Sequence, residues 1–195
     1  VIYNKDEFLR PEPSEEVKSY FENLGPEATK ISVKDLTFYY DDRKSPDYKN
    51  FIFENTNIEL SANQVTGIIG SSGTGKSTFI SILCGFLEPL KGKLEIKDKS
   101  FEQISQLNKY IGYVSQHTNL IDDNIINNIC FETKKEDIKI DKVNYLIKYL
   151  ELDKVVQNLP DGIDTKLGEQ GLKFSGGQRQ KIAIARALYL ERKIL

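Results

Sequence analysis

VTGIIGSSGTGKS, Val65 to Ser77, is the stretch that decides the fold. Val65 to Ile69 is a short apolar run that reads as a strand, and it leads directly into a loop with glycines at 70, 73 and 75. A helix is predicted beyond the loop, with Phe79, Ile82, Leu83 and Phe86 on one face and Gly85 near its end. Strand, glycine loop and helix is the setting a phosphate-binding loop requires. A nucleoside triphosphate brings about four negative charges, which successive backbone N–H groups and a helix N-terminus can hold. Gly70, Gly73 and Gly75 let the backbone wrap closely, while Ser71, Ser72 and Thr74 complete the loop. Lys76 supplies a point charge to the outer phosphates, Ser77 offers a hydroxyl to Mg²⁺, and Thr78 extends the polar rim.

Outward on the N-terminal side, Phe51 to Leu60 predicts a strand, with Asn63 at the turn that follows. Ile31, Val33, Leu36, Phe38 and Tyr40 mostly alternate with polar residues and predict another strand, closed by a turn-rich run from Asp41 to Asn50. Further upstream, Ser14 can cap a helix whose first turn carries Glu15 and Glu16. Val17, Tyr20, Phe21 and Leu24 recur at i, i+3, i+4 and i+7 before Gly25-Pro26 closes the segment. This is one short amphipathic helix in a tether; its apolar stripe is expected to pack on the domain, and no chemistry is assigned to it.

On the C-terminal side, Lys93 to Lys97 and Lys109 to Ser115 predict further strands. From about His117 to Asn158 the alternation disappears, and Val143, Leu146, Ile147 and Leu150 mark a helix. Gln178 to Leu190 is helical again, and Lys193-Ile194-Leu195 reads as the opening of a strand. The expected organisation is a tether over 1–30, a nucleotide-binding core over 31–116, a helical subdomain over 117–190 and the start of a strand over 191–195. With 195 residues, 39% of them apolar, the chain suits one globular domain with a sizeable core. Twenty-seven basic residues against 29 acidic ones give no polybasic face, so nucleic acid is not an expected partner. Cys84 and Cys130 sit far apart among apolar neighbours and read as reduced core thiols. No run approaches the roughly 18 apolar residues of a membrane span, so these residues are expected to be soluble. The chain starts at Val1 and contains no methionine, and both ends read as cuts.

Ser175-Gly176-Gly177, at the head of the helix from Gln178, is a second anion-binding N-terminus, and one nucleotide does not need two. Taken alone the tripeptide could be a plain cap. Its surroundings, LPDGIDTKLGEQGLKFSGGQRQKIAIARALYL from Leu159 to Leu190, closely resemble the signature region of ABC transporters, and of the exporter branch in particular. Thr165-Lys166-Leu167-Gly168-Glu169-Gln170-Gly171 is similar to that branch's T-x-V-G-E-x-G stretch, with Leu for Val. Phe174 to Gln178 resembles its Leu-Ser-Gly-Gly-Gln signature, changed only at the apolar position.

The resemblance implies a RecA-like P-loop NTPase core of α/β class, with N-terminal antiparallel strands and an inserted helical subdomain, lacking the C-terminal part of the core. It implies ATP and Mg²⁺ as ligands. It makes Tyr40, or alternatively Tyr39, the residue that stacks on adenine, and Gln116 a contact for Mg²⁺ and water. Leu120 to Ile129 resembles the segment that faces a membrane domain's coupling elements, with subdomain core as the competing role. His117 lies far from the position of the family's switch histidine and is not given that role. The Walker B aspartate, catalytic glutamate and switch histidine have no counterpart here, so no catalytic residue is assigned and these 195 residues alone are not expected to hydrolyse ATP. The implied whole is an ATP-driven exporter, similar to lipid or oligosaccharide flippases or to peptide or drug exporters, acting at the cytoplasmic face of a membrane. Two nucleotide-binding domains would pack head to tail, each tied to a transmembrane domain of the same or a partner chain. A soluble ABC ATPase without transport and a non-hydrolysing regulatory cassette are the alternatives.

Overall fold

A computed structural model describes residues 12–24, 30–40, 51–97, 99–116, 118–131, 133–168 and 174–195. The Asp41 to Asn50 loop, Gly25-Pro26, His117 and Glu169 to Gly171 lie outside the described residues. The chain divides into two compact units, Val1–Tyr110 and Ile111–Leu195.

The first unit is built on a four-stranded antiparallel sheet. Its strands are β1 (Lys30–Tyr39), β2 (Phe51–Ser61), β3 (Lys91–Ile96) and β4 (Lys99–Phe101), in the order β2-β1-β3-β4. Their β-branched and aromatic residues alternate, so one face buries Val33, Leu94, Ile96 and Phe101. Between Lys34 and Thr37 the β1 register shifts. There Asp35 adopts φ 54° and its N–H donates to Asn57 Oδ1 at 3.0 Å. Gly92 fits against this bulge, since a Cβ there would stand 2.9 Å from Leu36 Cα. Lys97, at φ 53°, turns β3 into β4.

Helix α1 (Glu15–Glu22) begins as its sequence predicts: Ser14 caps it by accepting the Val17 N–H at 3.3 Å. Phe21 is fully buried and stacks on Tyr110, with centroids 3.9 Å apart. Tyr20 Oη donates to Ile96 O at 2.6 Å, and Lys99 and Lys109 pair with Glu16 and Glu12. The stripe packs on the sheet unit, as expected of an amphipathic helix.

Helix α2 (Lys76–Leu83) follows the glycine loop and buries Phe79 and Ile82. Phe86 departs from the expected face: the helix ends before it and the residue is nearly half exposed. The predicted strand over Val65 to Ile69 is not formed. No described residue pairs with it, and Val65 is 100% and Ile69 97% exposed. A strand exists only through its neighbours' hydrogen bonds, and the turn at Asn63 (φ 58°) carries the chain off the edge of β2 without a new partner among the described residues. The strand expected over Lys109 to Ser115 likewise shrinks to one parallel bridge, Ile111 to Ile194, preceded by a 3-10 helix over Ile104–Tyr110.

The second unit is helical. It contains α3 (Ile125–Ile129), α4 (Ile140–Tyr149), α5 (Asp153–Gln157) and α6 (Gly176–Tyr189). Ile125, Ile129, Val143, Leu146, Leu152, Leu167 and Ile182 form its core. The period that predicted α4 is the one it buries, and Cys130, also buried, belongs to this core. Cys84 is buried in the first unit.

Candidate phosphate-binding site and signature helix

Around the glycine loop, conformation follows from residue type. Gly73 and Gly75 have φ 82° and 88°, a region L side chains rarely adopt. Gly75 is the N-cap of α2, and a Cβ there would stand 2.7 Å from Ile52 Cγ2 and 3.1 Å from Phe53 Cζ. The loop is therefore pressed against β2, and neither Ile52 nor Phe53 was marked by the sequence as a support.

Lys76 folds back over the loop, its Nζ donating to Gly70 O at 2.8 Å and to Ser71 O. Thr74 Oγ1 donates to Ser71 O at 2.9 Å. A cation is thus held at the loop's mouth by carbonyls alone, with no carboxylate bonded to it in these contacts. The first intrahelical bond runs from Phe79 N to Gly75 O, so the N–H groups of Lys76, Ser77 and Thr78 precede the ladder, where the helix dipole is positive. Ser77 is exposed and Thr78 buried. These groups fit a phosphate chain.

Tyr40 stands beside them. Its Oη and Thr78 Oγ1 share a hydrogen bond of 3.1 Å, and its ring meets Phe38 edge to face at 5.0 Å. The ring is about half exposed and tethered at both ends, a platform suited to stacking. Tyr39, the competing choice, lies within β1.

The signature belongs to the second unit. Ser175 caps α6 with a capping box: its Oγ accepts from Gln178 N at 3.3 Å, and Gln178 Oε1 accepts from Ser175 N at 2.8 Å. Phe174 is buried in the helical core, and its carbonyl accepts from Arg179 Nη1 at 2.8 Å. Gly176 and Gly177 differ from Gly75 in a telling way, since a Cβ at either meets nothing within 4 Å. Packing among the described residues does not require glycine there. Gln116 is exposed in this same unit, whereas Ser77, its partner in the expected Mg²⁺ pair, is in the first.

Of the two roles the sequence left open for Leu120 to Ile129, the structure shows the subdomain core. Leu120, Ile125 and Ile129 join the core, while Ile121 and Asp122 are exposed.

The model of the family described as ABC transporter matches residues 53–195, which include both the loop and the signature helix. The chain belongs to the ABC transporter family. This ABC transporter chain is 38% identical over 91% of its length to a Rickettsia typhi protein designated an export ATP-binding/permease protein. It is 35% identical over 85% of its length to an ATP-dependent lipid A-core flippase of Nitrosococcus oceani. A bacterial Atm1-family ABC exporter solved with ATP bound is similar over 86% of the chain, with 30% identity and a TM-score of 0.72. The chain spans 30%, 27% and 28% of the lengths of these three proteins. Membership in the family implies nucleotide binding, and the neighbour's fold agrees with the P-loop NTPase class expected from the sequence.

Proposed function

We propose that this chain is the ATP-binding part of an ABC exporter, with Gly70 to Thr78 holding the triphosphate and Tyr40 stacking on adenine. The observation that carries this is the contrast between two glycine sites on one chain. Gly75 is glycine because the chain's own β2 presses on it, whereas Gly176 and Gly177 face open space. Glycine where no described residue crowds it suits close approach by a second body. That body is the γ-phosphate of a nucleotide held by another copy of this domain, so two copies pack head to tail with Ser175 to Gln178 of one over the P-loop of the other.

Ser77 Oγ would supply a ligand to Mg²⁺ alongside phosphate oxygens; the described residues contain no cluster of three or more His, Cys, Asp or Glu that could replace it. The metal's contribution is to neutralise charge developing on the phosphates. Lys76 exchanges its loop carbonyls for phosphate oxygens, and the α2 N–H groups fix the chain's register. The names of the Rickettsia and Nitrosococcus relatives, an export ATP-binding/permease protein and an ATP-dependent lipid A-core flippase, support an export role. In this reading the domain works at the cytoplasmic face of a membrane with a transmembrane domain as partner.

The test separates the two cradles. Lys76→Ala should weaken MgATP binding by about 10- to 100-fold, the worth of a charge-assisted contact. Gly176→Asp should leave ATP affinity unchanged and block ATP-driven association of two copies, because its carboxylate would face a γ-phosphate. Equal loss of ATP affinity in both variants would refute the assignment.

A further inference from the structure

We propose that Arg186 is a positioning residue for the signature end of its own helix: with Asn128 and Phe131 it clasps the Leu120–Asn124 loop to α6, so that loop and signature move as one piece. Neither the family resemblance nor the relatives' names give Arg186 or Phe131 a role, and the proposal rests on the reading that Ser175 to Gly177 closes over a nucleotide.

Asn128 is a polar side chain with no exposed surface, a position tolerated only when its groups are bonded. Its Nδ2 lies 3.1 Å from Ile121 O, 3.3 Å from Asp123 O and 3.0 Å from Asn124 O. Its Oδ1 accepts from Ile121 N at 3.0 Å and from Arg186 Nη2 at 3.4 Å. Arg186 Nε donates to Asn128 O at 2.8 Å, and the guanidinium lies over the Phe131 ring at 5.4 Å. On its other side the loop is stitched to the exporter-like stretch by Leu167 N to Asp123 O at 3.1 Å and by the Asn124 to Lys166 bridge.

Arg186 is in the last turn of a 14-residue helix whose first turn is capped by Ser175. Such a helix is a rod of about 20 Å, and Ile182 and Ala185, buried between the two ends, resist bending. A planar guanidinium that spends one edge on a carbonyl and an amide oxygen and one face on a ring fixes orientation as a lysine cannot. Loop and signature are therefore opposite ends of one rigid lever.

The experiment is amide exchange on the intact protein in detergent micelles, with and without MgATP. In the wild type, ATP should slow exchange at 174–180 and change it at 120–124. In Arg186→Lys the response at 174–180 should persist and the response at 120–124 be lost, with ATP affinity unchanged. Phe131→Ala removes a ring already more than half exposed, so folding is safe; it should show the same split in smaller measure and decides the matter if Arg186→Lys unfolds. Both segments responding as in the wild type in the folded variants would overturn the clasp, as would a wild type that responds at 174–180 alone. A wild type silent at 174–180 would sink the signature assignment, and the clasp with it.

Discussion

Glycine at 75 and glycine at 176 have opposite physical reasons, and their alanine variants should behave oppositely. At 75, alanine meets Ile52 Cγ2 at 2.7 Å and a φ of 88°, so Gly75→Ala should cost about 1–2 kcal/mol of stability from the left-handed backbone alone and weaken ATP binding. At 176 a Cβ is free within the chain and helix propensity favours it, so Gly176→Ala should leave the unfolding midpoint unchanged or raise it while impairing association of two ATP-loaded copies. Thermal unfolding with and without MgATP checks both. Cys84 gives a third residue-scale expectation. Burial pushes its thiol up to about 11, so below that pH it stays protonated and poorly nucleophilic. Because the folded value is the raised one, its contribution to stability is present at neutral pH and is lost as pH climbs from about 9 through about 11. Iodoacetamide at pH 8 should label Cys84 slowly in the native protein and quickly in urea; equal rates would contradict the burial.

Among the elements, α1 shows how far a short amphipathic helix depends on what receives it. Eight residues are too few for stable helix alone in water. The helix persists because Phe21 enters a slot between Phe101 and Tyr110 while Tyr20 ties it to β3. Phe21→Ala should destabilise the first unit by about 3–5 kcal/mol, and Ser14→Ala by about 1 kcal/mol, as read by denaturant unfolding. Glu12 and Glu16 are both held below the ordinary carboxylate range by bonds to Lys109 and Lys99, so what these pairs add is present at neutral pH and fades as pH falls through the lowered values. The surface position of these pairs keeps that effect small.

At the scale of the whole molecule, Val65 to Ile69 is the informative departure. Its composition is that of a buried strand, yet it lies open at the entrance to the phosphate loop. Amide exchange over 65–70 should be fast beside that of 31–39, where β1 is paired on both sides. Comparable protection in the two segments would show that 65–70 has found a partner strand in solution.

What the sequence by itself determined was everything governed by local chemistry. The glycines of 70–75 permit the loop, Ser14 and Ser175 cap their helices, and the periods of Phe21, Val143 and Leu146 select buried faces. Family motifs act at fixed spacing, and so the site residues could be named before any contact was known. Tertiary structure alone decided what depends on a distant partner. Val65 to Ile69 is no strand because hydrogen bonds from a neighbour, and not composition, make one. Gly75 is backed by Ile52 and Phe53, Tyr40 is tethered by Thr78, and Asn128 is claimed by Arg186, 58 residues on. No period or spacing encodes such pairs, because each contact is fixed by folding of the chain around it.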